Sequence, residues 1–208
     1  MRNPGTMVTR WAVLALVTLV SAGSAVAGDR DHIGGFFLRM SVGGGFASTE
    51  ITGVSAATGG LFDQLKFSGT SGDYNFAVGA MIAPNLALHG TLWGWFVSNP
   101  DAEIDGQDFG SIDGDFGLSV IGGGFTYYIM PANVYLSGSV GSGTLTADDS
   151  DSDAGIAIDA SLGKEWWVGR KWGLGGALVF GYHSIPDASI DPNFTGTNYG
   201  VRFSVTFN

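Results

Sequence analysis

Residues 198–208 read Asn-Tyr-Gly-Val-Arg-Phe-Ser-Val-Thr-Phe-Asn, and this stretch decides the fold. Successive side chains of a strand point to opposite faces, so Tyr199, Val201, Phe203, Val205 and Phe207 share one face. Gly200, Arg202, Ser204 and Thr206 share the other. One face is aromatic and aliphatic throughout, and the other is small and polar. Such a strand suits a barrel wall with lipid outside and a confined polar interior.

Seven further segments upstream show the same alternation. They are expected at 35–48, 72–83, 86–97, 114–130, 133–142, 155–167 and 172–183, each near or above the ~9 to 11 residues that a tilted membrane strand needs. With the terminal strand the total is eight. Short turns are expected at Pro84-Asn85, Pro131-Ala132 and Val168 to Lys171, and long polar connections at 49–71, 98–113, 143–154 and 184–197. Short and long alternate strictly, as the two ends of an up-and-down membrane barrel require. Trp166, Trp167 and Trp172 flank one short turn, where an interfacial aromatic girdle is expected.

Two segments resist the simple pattern. Phe116, Leu118 and Val120 share one parity, while Phe125, Tyr127 and Ile129 share the other. Gly122-Gly123-Gly124 lies between them, so a bulge or kink there is expected to swap the faces. In the third segment His89, Trp93 and Trp95 fall opposite Leu86, Leu88 and Leu92, which leaves the facing of the tryptophans open.

Residues 1–27 read as a cleaved signal peptide rather than as part of the fold. Arg2 and Arg10 form a basic start, Trp11 to Val20 an apolar core, and Ala25-Val26-Ala27 a small-residue cleavage site. The apolar run is shorter than the roughly 17 to 25 residues of a spanning helix. Residues 28–208 then form the barrel domain. Cysteine is absent, which excludes disulfides and thiolate chemistry. Without Arg2 and Arg10, the 9 basic residues fall to 7 against 19 acidic ones, a net charge of −12. That balance argues against nucleic acid as a partner.

The polar face distinguishes a membrane barrel from a secreted soluble one. It reads Arg39, Ser41, Gly43 on the first strand, Asn75, Ala77, Gly79 on the second and Asp159, Ser161, Gly163, Glu165 on the sixth. A water-facing surface would carry many more charges. Small residues with isolated charges instead suit the packed interior of an eight-stranded barrel. The expected class is all-β: an eight-stranded antiparallel up-and-down transmembrane β-barrel.

On these segments, and on the terminal strand with its near-terminal aromatic Phe207, residues 28–208 resemble the small eight-stranded bacterial outer-membrane β-barrel superfamily, the group containing the OmpA membrane domain, OmpX and OmpW. The opening Gly35-Phe36-Phe37-Leu38-Arg39-Met40 is similar to the first strand of the OmpW branch. The resemblance implies the outer membrane of a Gram-negative bacterium, with lipid and lipopolysaccharide around a monomer. It also implies that Tyr199, Val201, Phe203, Val205 and Phe207 form the signal read by the barrel assembly machinery. Asn208 departs from that signal by following the aromatic.

Arg39, Asp159, Glu165 and Arg202 are the candidate interior charges. The first and last strands close on each other, so Arg39 and Arg202 are expected as neighbours, locked to Asp159 and Glu165. A salt-bridge network that plugs the barrel is the favoured reading; a polar permeation path is the alternative. Asp101 to Asp108 partly fits a calcium loop, but Ile112 stands where a bidentate glutamate is needed, so no metal site is assigned. Serine catalysis needs an oriented histidine base, and His32, His89 and His183 sit in no such pattern. No cofactor or catalytic residue is assigned. A structural or surface-interaction barrel with a largely filled lumen is expected, with a passive channel for small solutes, apolar ones included, as the alternative.

Overall fold

The computed structural model describes residues 32–33, 35–55, 58–148, 150–187 and 190–208. The expected signal peptide, residues 1–27, lies outside them. Along the chain run β1 (Gly35–Thr52), β2 (Gln64–Ala83), β3 (Leu86–Ser98), β4 (Asp101–Ile104), β5 (Gln107–Ser111), β6 (Asp115–Ile129), β7 (Val134–Ala147), β8 (Ser150–Asp151), β9 (Gly155–Trp167), β10 (Trp172–Asp187) and β11 (Ile190–Phe207). Eight of these make the wall, in the order β1-β2-β3-β6-β7-β9-β10-β11, every neighbour antiparallel. The ring closes where β1 pairs with β11, from Leu38 opposite Phe207 to Glu50 opposite Thr195. Closure leaves no open edge in the wall, the condition for a sheet to cross lipid.

The outer face is apolar. Phe36, Met40, Val42 and Phe46 of β1, Phe125, Tyr127 and Ile129 of β6, and Tyr199, Val201 and Phe203 of β11 are all exposed, and the other strands match them. An apolar surface encircling the molecule far exceeds the few hundred Å² typical of a soluble monomer. Lipid is its solvent. Trp166 and Trp172 stand outward at the turn end as a girdle, with Lys164 beside the Trp166 ring at 6.0 Å. Trp167 corrects the expected trio: it turns inward, its ring 4.9 Å from His32.

The wall is taller than the alternation suggested. β1 and β11 have 18 residues each, about 59 Å of extended chain at about 3.3 Å per residue. Tilted, they rise well beyond an apolar band of about 25 Å. The excess lies at the loop end, where the outward positions of β1 and β11 become Ser48, Glu50, Thr195 and Thr197. The connections there shrink accordingly. The first long one is only 53–63, and the expected loop 184–197 is mostly strand, with β10 ending at Asp187 and β11 starting at Ile190.

The second long connection folds as well. Asp105 and Gly106 both have positive φ (49° and 79°), the pair of conformations a two-residue hairpin turn requires. Ile104 therefore faces Gln107, and β4 continues the ladder on β2. The residues that partly fit a calcium loop lie along this hairpin and do not wrap around a centre.

β6 corrects another expectation. Its pairing with β3 and β7 runs without a register shift, so parity never swaps. Leu118, Val120, Thr126 and Tyr128 all point inward, and Ile121, Phe125, Tyr127 and Ile129 all point outward. The glycines do not kink the strand. The upper interior is simply apolar, so large residues near the loop end belong inside.

Candidate functional site: the barrel interior

The interior is layered. At the loop end Ala47, Trp93, Trp95, Val97, Leu118, Val120, Leu145, Ala157 and Ile185 pack as one buried cluster, with Phe116 and Phe194 against it. This fixes the facing of the two tryptophans: both point inward and are almost wholly buried. Trp95 lies 5.7 Å from Phe116 and 5.8 Å from His183, between ring centroids. At the turn end Phe37, Ala77, Met81, Ala87, Tyr128, Tyr135 and Ala177 form a second cluster.

Between them lies the charge. Arg202 is buried and binds two carboxylates. Its Nε donates to Asp73 Oδ1, its Nη1 donates to Asp159 Oδ1 at 2.9 Å, and Nη2 lies 2.8 Å from Asp159 Oδ2. Asn198 Nδ2 donates to the other oxygen of Asp73 at 3.4 Å. Asp159 and Arg202 were candidates from sequence; Asp73 was not. Its signal was present, since Asp73 shares parity with Asn75 at the start of the second expected strand.

Arg39 and Glu165 do not join this group. The seam register sets Arg39 opposite Thr206 and Arg202 opposite Gly43, so the two arginines are not the neighbours expected from sequence. Among the described residues Arg39 makes no ion pair within 4.0 Å. Its Nη2 donates to Ser137 Oγ at 2.8 Å, and its guanidinium lies over the rings of Tyr135 (4.8 Å) and Phe37 (5.7 Å). Such contacts are worth about 2 kcal/mol when desolvated. Glu165 is held by hydroxyls: its Oε1 accepts from Tyr128 at 3.1 Å and from Thr206 at 2.7 Å. Among the described residues Arg39 Nη1 and Glu165 Oε2 find no hydrogen-bond partner.

The histidines are part of the packing. His89 Nε2 pairs with Thr126 Oγ1 at 3.1 Å and His183 Nε2 with Thr49 Oγ1 at 3.1 Å. Neither ring is oriented by a carboxylate, as a catalytic base would be. His32 lies at the turn end, buried beneath Tyr128.

On the outer face Val201, Phe203 and Tyr199 stand in the apolar belt, with Val205 and Phe207 half-buried at the turn end. Phe207 packs edge-on against Trp172 at 5.1 Å and near Phe36 at 6.2 Å, joining β11 to both neighbours across the lipid face.

The sequence matches no protein-family model, and no curated protein matches it. Among solved structures the chain is similar to Neisserial surface protein A: 14% identity, TM-score 0.53, covering 83% of this chain and 97% of that one. Ail of Yersinia pestis, solved with the heparin analogue sucrose octasulfate, gives 14% identity and TM-score 0.44 over 83% of this chain and 99% of that one. OprG of Pseudomonas aeruginosa gives 15% and 0.38 over 82% and 96%. The closed ring, its apolar exterior and the likeness to the Neisserial protein together give this chain the fold of the small eight-stranded transmembrane β-barrels of bacterial outer membranes.

Proposed function

We propose that the protein is an integral outer-membrane barrel of structural or surface-interaction type, with a closed interior and no catalytic activity. The single observation that carries this reading is the layering of the interior: an apolar cluster at the loop end, the Arg202 group in the middle and an aromatic cluster at the turn end. In this reading the loop end faces outward and meets the environment. Lipid and lipopolysaccharide surround a monomer, and the barrel assembly machinery reads the β11 face of Tyr199, Val201, Phe203, Val205 and Phe207.

Planar-bilayer recording of the purified protein tests it. A closed interior gives no resolved openings and no uptake of small solutes into liposomes. Stable single-channel openings would reject it in favour of a passive channel for small solutes. Trp93 and Trp95, the residues best placed to line such a path near the loop end, are instead locked in the apolar cluster.

A further inference from the structure

We infer that His32 is an intramolecular plug, its imidazole seated as a ligand in a slot made by two turns and Asn208. This goes beyond a closed interior, because it assigns the residue that fills the slot and the chemistry of the slot it fills. His32 precedes β1 and belongs to no strand, yet it is only 2% exposed, whereas its neighbour Ile33 is 73% exposed. Residues just outside the first strand are ordinarily solvated unless something ties them down.

Here everything ties it down. The His32 backbone N–H donates to Asn85 Oδ1 at 3.0 Å, and its carbonyl accepts from the Asn85 N–H at 2.9 Å, a two-way clamp onto the β2–β3 turn. The ring stacks on Tyr128 at 3.6 Å and 16°, with Trp167 on a second side at 4.9 Å. Asn133, in the β6–β7 turn, donates its own Nδ2–H to the Glu165 carbonyl at 3.2 Å, which leaves its Oδ1 facing the ring as an acceptor. His32 Nε2–H therefore donates to Asn133 Oδ1 at 2.8 Å, and Nδ1 accepts from the Asn208 side-chain amide.

One flat ring thus satisfies a donor and an acceptor in its own plane and aromatic surface above it. The slot selects a planar nitrogen heterocycle with one N–H and one bare nitrogen. Phenylalanine would fill the volume but strand two amides.

Chemical rescue tests this. The His32→Gly variant, with the rest of the chain unchanged, is refolded into detergent micelles at pH 8.5 with imidazole, with N-methylpyrrole or with neither. N-methylpyrrole is a flat ring of similar size with neither donor nor acceptor. Folded barrel is read by its gel mobility before and after heating. The variant is expected to unfold about tenfold faster than the unmodified protein, the effect of losing one to two buried hydrogen bonds. Imidazole restores the rate and N-methylpyrrole does not.

If His32→Gly fails to fold alone, the same additives decide through the yield: recovery with imidazole only supports the plug. Equal behaviour with all three, or an unfolding rate unchanged from the unmodified protein, would overturn it. The assay reads no conductance, so its failure is separable from failure of the closed-interior reading.

Discussion

Removing the Arg202 guanidinium would leave Asp73 and Asp159 facing each other in a space that water barely reaches. An Arg202→Ala barrel should lose about 3–5 kcal/mol, because stranding a buried charge costs far more than an exposed ion pair is worth. Replacing Arg202, Asp73 and Asp159 together by apolar residues of similar volume should cost much less. Urea titration followed by gel mobility distinguishes the two, and an Arg202→Ala midpoint equal to that of the unmodified protein would show that the group carries no stability. That interior charges belonged on the polar face was legible from parity alone. Which charges meet was not, because partners depend on the stagger between strands. Arg39 and Arg202 lie on adjoining strands, but the register sets Arg39 against Thr206, four residues from Arg202.

At the scale of the strand, glycines divide into two kinds. A Cβ at Gly79 would collide with the Leu88 carbonyl and the His89 backbone on β3, so the close approach of β2 to β3 depends on its absence. Gly90 sits on β3 beside it, opposite Val78, and a Cβ there meets only ordinary contacts at 3.9 Å. Gly79→Ala should therefore cost about 1–3 kcal/mol, the usual scale of overpacking. Gly90→Ala should fall within about 0.5 kcal/mol. Thermal gel-shift midpoints of the two variants check this; equal loss in both would mean that glycine content, not position, is what matters.

The wall strands were legible in the sequence because a lipid-facing side imposes a period of two on the whole crossing. β4, β5 and the extra length of β10 and β11 were not. They stand above the lipid, where no apolar face is imposed and strand and loop share the same polar composition. β6 misled for a related reason: Leu118 and Val120 are apolar on the inner face, and apolarity alone does not say which side of a wall is dry.

Taken whole, the molecule is electrically lopsided. Asp63, Asp101, Asp108, Asp113 and Asp148 crowd the loop end, where Lys66 is already paired with Glu103 at 3.4 Å. Arg170 and Lys171 lie in a short turn at the other end. With the loop end outward, a broad-specificity protease added to intact cells should cut within 53–63 or 148–154. Trypsin should leave Arg170-Lys171 intact until the membrane is breached. Cutting at Arg170-Lys171 in intact cells would reverse the orientation.

The seam between β1 and β11 has a consequence in time. Leu38 meets Phe207 across it, so the pairing that completes the ring joins the first wall strand to the last. Until β11 is in place, β1 and β10 each present a row of unpaired N–H and C=O groups, which hydrocarbon cannot satisfy. No partial ring is a resting state in lipid, and contacts so distant along the chain form slowly. Insertion and closure must therefore be one event. A chain whose β11 has not yet arrived has no membrane form to wait in, so it stays unfolded in water until that strand is there to pair.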